Sequence, residues 1–138
     1  MRLTTFTDFG LRALMRLAGE PTRAFSTAEL AEEFAVSRHH LAKVISVLAG
    51  AGLIATRRGG GGGAMLARPA DQIRLGEVVR LLEADQVLVE CFAPAGNLCT
   101  LTPRCRLKAR LAKAEAAFLA ELDESTLADC IYTPAEKV

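Results

Sequence analysis

A mainly α-helical fold with one small β-hairpin and a long C-terminal helix is predicted by three observations. Apolar residues recur at helical spacing through the first fifty residues. Five glycines at 59–63 then break the pattern between two short apolar stretches. A helical stripe resumes and runs from Leu107 to Leu122. The chain has 138 residues, enough for one domain, and 51% of them are hydrophobic, so it can build a core.

The first helix lies in "TDFGLRALMRLAGE". Leu11, Leu14, Met15 and Ala18 stand at i, i+3, i+4 and i+7, one face of a helix. Thr7 or Asp8 is expected to cap its start and Gly19 to end it. Asp8 in the first turn also suits the positive end of the helix dipole.

Two more helices follow in "FSTAELAEEFAVSRHHLAKVISVLAGAGLI". Ser26 and Glu29 form an S-x-x-E capping box, with Leu30, Ala31 and Phe34 facing inward. This helix is expected to stop near Ala35–Val36, and Ser37 to cap the next. There Leu41, Val44, Ile45 and Leu48 repeat the inward pattern. Two short helices joined by about three residues make a helix-turn-helix. His39, Lys43 and Ser46 project away from the core face, with Arg38 and His40 on the flanks. These side chains suit base edges and phosphates in a major groove. Ser26, Thr27 and Ser37, at the two helix starts, join Arg38, His39, His40 and Lys43 as candidate contacts to double-stranded DNA.

"GLIATRRGGGGGAMLARP" reads as strand, turn, strand, because Leu53, Ile54, Met65 and Leu66 flank the glycines as paired strands would. Arg57, Arg58 and Gly60 fall at or near the tip. A basic hairpin after a helix-turn-helix is a wing, whose bare tip lets backbone approach DNA while arginines meet phosphates or a minor groove. No G-K-[ST] follows, which argues against a nucleotide-phosphate loop. Residues 1–74 are thus expected to form a winged helix-turn-helix. They carry ten Lys/Arg against six Asp/Glu, net +4, while 75–138 carry seven against ten, net −3. The basic half is compatible with a nucleic-acid partner.

In residues 75–138, "DQIRLGEVVRLLEAD" predicts a helix with Leu75, Val78, Val79 and Leu82 inward. "TPRCRLKARLAKAEAAFLAELDEST" predicts the long one, with Thr102 as N-cap and Pro103 at the first position. Leu107, Leu111, Ala114, Phe118 and Leu122 form a stripe over about five turns, roughly 30 Å long. So long a helix calls for a partner surface, and a second copy of the chain is the expected one. Two-fold symmetry would also match a palindromic operator. The two halves are expected to form one compact unit, not independent domains.

Between these helices lies "CFAPAGNLCTLTPRC", with Cys91, Cys99 and Cys105. No apolar run is long enough to span a bilayer, and "MRLTTFTDFG" lacks the features of a secretory signal. A cytoplasmic protein is expected, and there clustered thiols point to metal binding or redox chemistry. Cys105 is expected in the first turn of the long helix, where the dipole, Arg104 and Arg106 favour thiolate. The spacing C-x7-C-x5-C lacks the C-x2-C pairs of a zinc ribbon. Three readings stay open at this level: a soft metal centre with one further ligand, a reversible disulfide, or inert cysteines. Cys130 reads as a small core residue. No H-E-x-x-H, nucleophile elbow or paired-carboxylate arrangement is present, so an enzyme is not expected.

Taken together, "MRLTTFTDFGLRALMRLA", "LAEEFAVSRHHLAKVISVLAGAGLI", the glycine-rich wing and "CTLTPRCRLKARLAKAEAAFLAELDESTLAD" resemble the NsrR-type transcriptional repressors. These share a broad winged-helix family with the IscR regulators. The resemblance covers nearly the whole chain. It implies a homodimer that binds operator DNA and senses nitric oxide through an iron–sulfur cluster, [4Fe–4S] favoured over [2Fe–2S]. It also implies Cys91, Cys99 and Cys105 as cluster ligands, with Asp8 of the partner subunit as the fourth. IscR-type regulators use a histidine three residues after the last cysteine; here that position is Lys108. An IscR-like regulator of iron–sulfur assembly and a cluster-free thiol regulator are the alternatives.

Overall fold

The computed structural model describes residues 2–60 and 62–135. Among them are five α-helices and one two-stranded antiparallel hairpin: α1 (Thr5–Gly19), α2 (Thr27–Phe34), α3 (Arg38–Gly50), β1 (Ile54–Arg57), β2 (Gly63–Leu66), α4 (Leu75–Leu82) and α5 (Arg106–Asp123). The expected mainly α architecture with a hairpin wing is what the chain adopts. Gly61, within the glycine run, lies outside the described residues.

α1 starts three residues earlier than its apolar repeat suggests. Thr4, not Thr7 or Asp8, is the N-cap, and its side chain accepts from the Thr7 N–H. Thr7 is fully buried, with its hydroxyl used elsewhere. Asp8 does sit in the first turn. The inward face is Ala13, Leu14, Leu17 and Ala18, with Leu11 and Met15 half-buried at its edge.

The capping box on α2 forms as its sequence dictates: Ser26 Oγ accepts from the Glu29 N–H, and the Ser26 N–H donates to Glu29 at 2.8 Å. The backbone hydrogen bond from Ser26 holds the Glu29 carboxyl below its ordinary pKa. Three residues, Ala35 to Ser37, make the turn, and Ala35 takes the left-handed conformation that ends α2. Ser37 then caps α3 by accepting from the His40 N–H. Leu41, Val44, Ile45 and Leu48 are all buried, the face the spacing predicts.

A single core joins these helices to the wing and to the C-terminal half. Leu14, Leu17, Phe25, Leu30, Leu41, Leu53, Ile73, Val78 and Leu127 belong to one buried cluster. Gly10 lets α1 and α4 cross closely: a Cβ there would stand 2.3 Å from Leu82 Cδ1. α5 is tied to α4 at its C-terminal end, where Arg80 holds the Asp123 carboxylate through both oxygens at 2.8 and 2.6 Å. The chain then returns to the core through the Leu127 N–H, which donates to the Ile73 carbonyl at 2.8 Å.

The other end of α5 departs from expectation. Thr102–Arg104 form a separate 3₁₀ turn, α5 begins at Arg106, and Cys105 is its N-cap, not a first-turn residue. Thr102 does not cap α5 because the 3₁₀ turn leaves it four residues before the helix; its hydroxyl instead donates to the Cys99 carbonyl at 3.0 Å and accepts from Asn97. No residue of α5 is fully buried, and Leu107 is 61% exposed. Cys130 is half-buried at the end of a 3₁₀ turn, Leu127–Cys130, because Leu127 fills the core position beside it.

One contact that spacing does not reveal joins α1 to α2. Arg16 is 4% exposed and donates to Glu20 at 2.7 Å and Glu33 at 2.8 Å. Its guanidinium also lies 4.5 Å from the Phe25 ring centre. Burial pulls the Arg16 pKa down, but the hydrogen bonds and charges of Glu20 and Glu33 outweigh it and leave it raised. Arg16→Ala is expected to destabilise the fold by about 2–3 kcal/mol, through lost charge-assisted bonds and lost packing on Phe25. Urea denaturation checks this; a change under about 0.5 kcal/mol would mean the buried pairs add nothing over solvated groups.

Candidate functional site

The helix-turn-helix presents a cationic edge. Ser37, Arg38, His39 and His40 are exposed at the start of α3, and Lys43 and Ser46 are exposed one and two turns on. The His39 and His40 rings lie 6.1 Å apart, tilted to one another. The N-terminus of α3 adds its own positive dipole end, which favours phosphate. Ser26 and Thr27 are half-buried at the start of α2.

The wing is fixed to the same body. β1 and β2 pair from Ile54↔Leu66 to Arg57↔Gly63, so Arg57 closes the ladder and Arg58, Gly59 and Gly60 extend beyond it, exposed. The hairpin is anchored at its other edge by reciprocal bonds between Phe25 and Ala64, at 2.8 and 2.7 Å. Gly63 makes this possible. Its φ is +146°, and a Cβ would stand 2.3 Å from the Phe25 carbonyl oxygen. Among the described residues, Arg38, Lys43, Arg57 and Arg58 form no ion pair. Their charge is therefore unpaired among the described residues, which suits a polyanion.

The cysteine loop is the second candidate. Cys91 lies in a 3₁₀ turn, Glu90–Phe92, and all three loop cysteines are free thiols and half-buried. Hydrogen bonds draw the loop together. Glu90 Oε1 accepts from the Leu98 N–H at 2.5 Å, linking the neighbours of Cys91 and Cys99. Asn97 accepts from the Cys99 N–H at 3.0 Å and donates to Thr102 Oγ1 at 3.0 Å. Leu98 and Leu101 stay 85% and 69% exposed beside the thiols. Three thiols on one pinned loop fit a soft metal centre in kind. Among the described residues, no three His, Cys, Asp or Glu groups are gathered closely enough within the chain to hold a metal ion.

Asp8 stands apart from that loop in the chemistry it shows. It is 48% exposed and bound by Arg12 one turn later, at 2.6 and 3.1 Å. Lys108 is half-buried on α5, and both histidines are on α3.

A group that periodicity misses is Glu83, which directly follows α4. One of its oxygens accepts from the Thr4 N–H at 2.7 Å, the Thr4 hydroxyl at 2.8 Å and the Thr7 hydroxyl at 2.5 Å. Burial pushes its pKa up, but these three donors outweigh it and leave it lowered. The Thr4 and Thr7 pair is visible in the sequence; a partner 76 residues away is not.

Among the described residues no helix is long and apolar enough to cross a membrane. The fold is similar to that of IscR from T. potens, with a TM-score of 0.72, 28% identity, and coverage of 94% of this chain and 85% of that one. It is similar to Staphylococcus aureus CymR in its oxidized form, with a TM-score of 0.72, 28% identity, and coverage of 98% and 100%. It is also similar to CymR (YrzC), the global cysteine regulator of B. subtilis, with a TM-score of 0.68, 27% identity, and coverage of 94% and 95%. A family model described as an iron-dependent transcriptional regulator, Rrf2, matches residues 3–133, and the chain belongs to that family.

Proposed function

We propose that this Rrf2-family transcriptional regulator is a homodimeric repressor of the NsrR type. In this reading it binds a palindromic operator when loaded with an iron–sulfur cluster and leaves it in response to nitric oxide. The observation that carries it is the loop. Cys91, Cys99 and Cys105 are joined in no disulfide, half-buried and carried on one hydrogen-bonded segment leading into the N-terminus of α5. When bound, the cluster supplies iron to which nitric oxide can coordinate.

The chain's own residues divide the work. The three thiolates would hold the cluster, [4Fe–4S] in preference to [2Fe–2S]. Asp8 of the partner subunit would supply the fourth ligand, a harder and weaker donor than thiolate. To do so Asp8 must exchange its pair with Arg12. Both side chains are nearly half exposed, so the exchange costs little, about 0–1 kcal/mol. The half-buried stripe of Leu111, Phe118 and Leu122 on α5 would meet a second copy. Arg38, His39, His40 and Lys43 would face the major groove, with Ser26, Thr27 and Ser37 at its edge. Arg57, Arg58 and Gly60 would meet the backbone or minor groove.

Asp8→Ala is the test of the ligand set. The anaerobically purified variant is expected to assemble a cluster through its thiols, with an absorbance response to nitric oxide that differs in rate from the parent by about tenfold. An unchanged response removes Asp8 from the set. A second reading, a regulator whose thiols answer oxidant without a cluster, is favoured because no three His, Cys, Asp or Glu groups among the described residues are gathered closely enough to hold a metal ion. Iron and acid-labile sulfide in anaerobic protein support the first reading; their absence supports the second.

A further inference from the structure

The first turn of α1 carries Asp8, and three features surround that turn. Gly10 leaves room for the Leu82 side chain at the end of α4, whose Cδ1 would have to shift for any Cβ there. Glu83, the next residue, then reaches the start of α1. Its single Oε1 accepts from three donors: the Thr4 N–H, the Thr4 hydroxyl and the hydroxyl of fully buried Thr7. Thr5, Phe6 and Phe9 also line one cavity of 320 Å³ with His40, Lys43 and Val44 of α3. The start of α1 is thus bonded to Glu83 at the end of α4 and borders a cavity shared with α3.

The chemistry of the clamp is specific. Three donors on one oxygen suit a carboxylate, whose hydrogen bonds are roughly twice as strong as those of a neutral acceptor. Its negative charge also faces the positive end of the α1 dipole. The stretch leaving Glu83 runs beside the same helix start. Val87 and Leu88 line one groove of 630 Å³ with Arg2, Leu3 and Thr4. The Gln86 N–H donates back to the Glu83 carbonyl at 2.8 Å.

We propose that Glu83 is a positioning residue, which fixes the first turn of α1 against α4 and so sets both the reach of Asp8 and the placing of that turn beside α3. The reach of Asp8 rests on the proposed function; the clamp on the helix start does not.

Hydrogen exchange of the full chain, read by mass spectrometry, tests the clamp without any cluster. In Glu83→Ala, amides at positions 7–10 are expected to exchange at least about tenfold faster than in the parent, with α3 unchanged. Glu83→Gln keeps an acceptor oxygen without the charge and is expected to fall in between. Unchanged exchange in Glu83→Ala overturns the proposal. Should that variant fail to fold, Thr7→Val removes one donor and leaves the carboxylate; unchanged exchange there and in Glu83→Gln overturns the proposal equally. In cluster-loaded protein, Glu83→Ala is expected to shift the nitric oxide response as Asp8→Ala does, and the double variant to shift it no further. Additive shifts overturn the part of the proposal that runs through Asp8. If Asp8→Ala itself changes nothing, the ligand reading fails while the exchange data still decide the clamp.

Discussion

Gly63→Ala is expected to lower the stability of the domain by about 2–4 kcal/mol and its melting temperature by about 10 °C. Two costs combine at this position. A φ of +146° lies where side chains are rarely found, and the added methyl would meet the Phe25 carbonyl oxygen at 2.3 Å, backbone that cannot swing aside as a side-chain tip can. Relief requires breaking the reciprocal bonds between Phe25 and Ala64 that anchor the wing. Gly60→Ala is the control, because a Cβ there meets nothing within 4 Å. Calorimetry on both variants checks the account. Equal melting temperatures would mean that the hairpin does not lie against Phe25 as described.

The second large effect is on DNA. Arg57→Ala combined with Arg58→Ala is expected to weaken operator binding by about ten- to a hundredfold and to reduce the salt slope by about two. Both arginines are exposed at the end of the ladder and neither is in an ion pair among the described residues. Their removal therefore costs the fold little and the polyanion contact much. The loss should be similar on specific and unrelated sequences, because phosphate contacts carry no sequence information. Fluorescence anisotropy across a salt series separates the outcomes. An unchanged slope would place the wing away from the duplex.

The helices were legible because their signals are local. Ser26 and Glu29 lie three residues apart and form the box their spacing implies; the four inward residues of α3 are all buried. The wing was legible as a glycine run between apolar strands. What escaped depends on residues far apart in the chain. Thr7 was a candidate cap, but Glu83 takes its hydroxyl, and Thr4 caps α1 in its place. Thr102 read as the cap of the long helix; its hydroxyl closes the cysteine loop on the Cys99 carbonyl, and α5 starts at Arg106. Arg16 stands on a helix that reads as amphipathic, yet it is buried because Glu20, Glu33 and the Phe25 ring converge on it. In the cysteine loop the three cysteines stand out in the sequence, whereas the hydrogen bonds of Asn97 and Glu90 that draw the loop together follow no periodicity.

The sensing claim is tested most directly by one titration. The full chain, purified without oxygen, is assayed for iron and acid-labile sulfide and then for anisotropy on DNA from its own promoter region while nitric oxide is added. The account predicts brown protein carrying about four irons per chain, tight binding at the start, and loss of that binding as nitric oxide is consumed. Protein that holds neither iron nor sulfide and grips the same DNA equally with and without nitric oxide would contradict it.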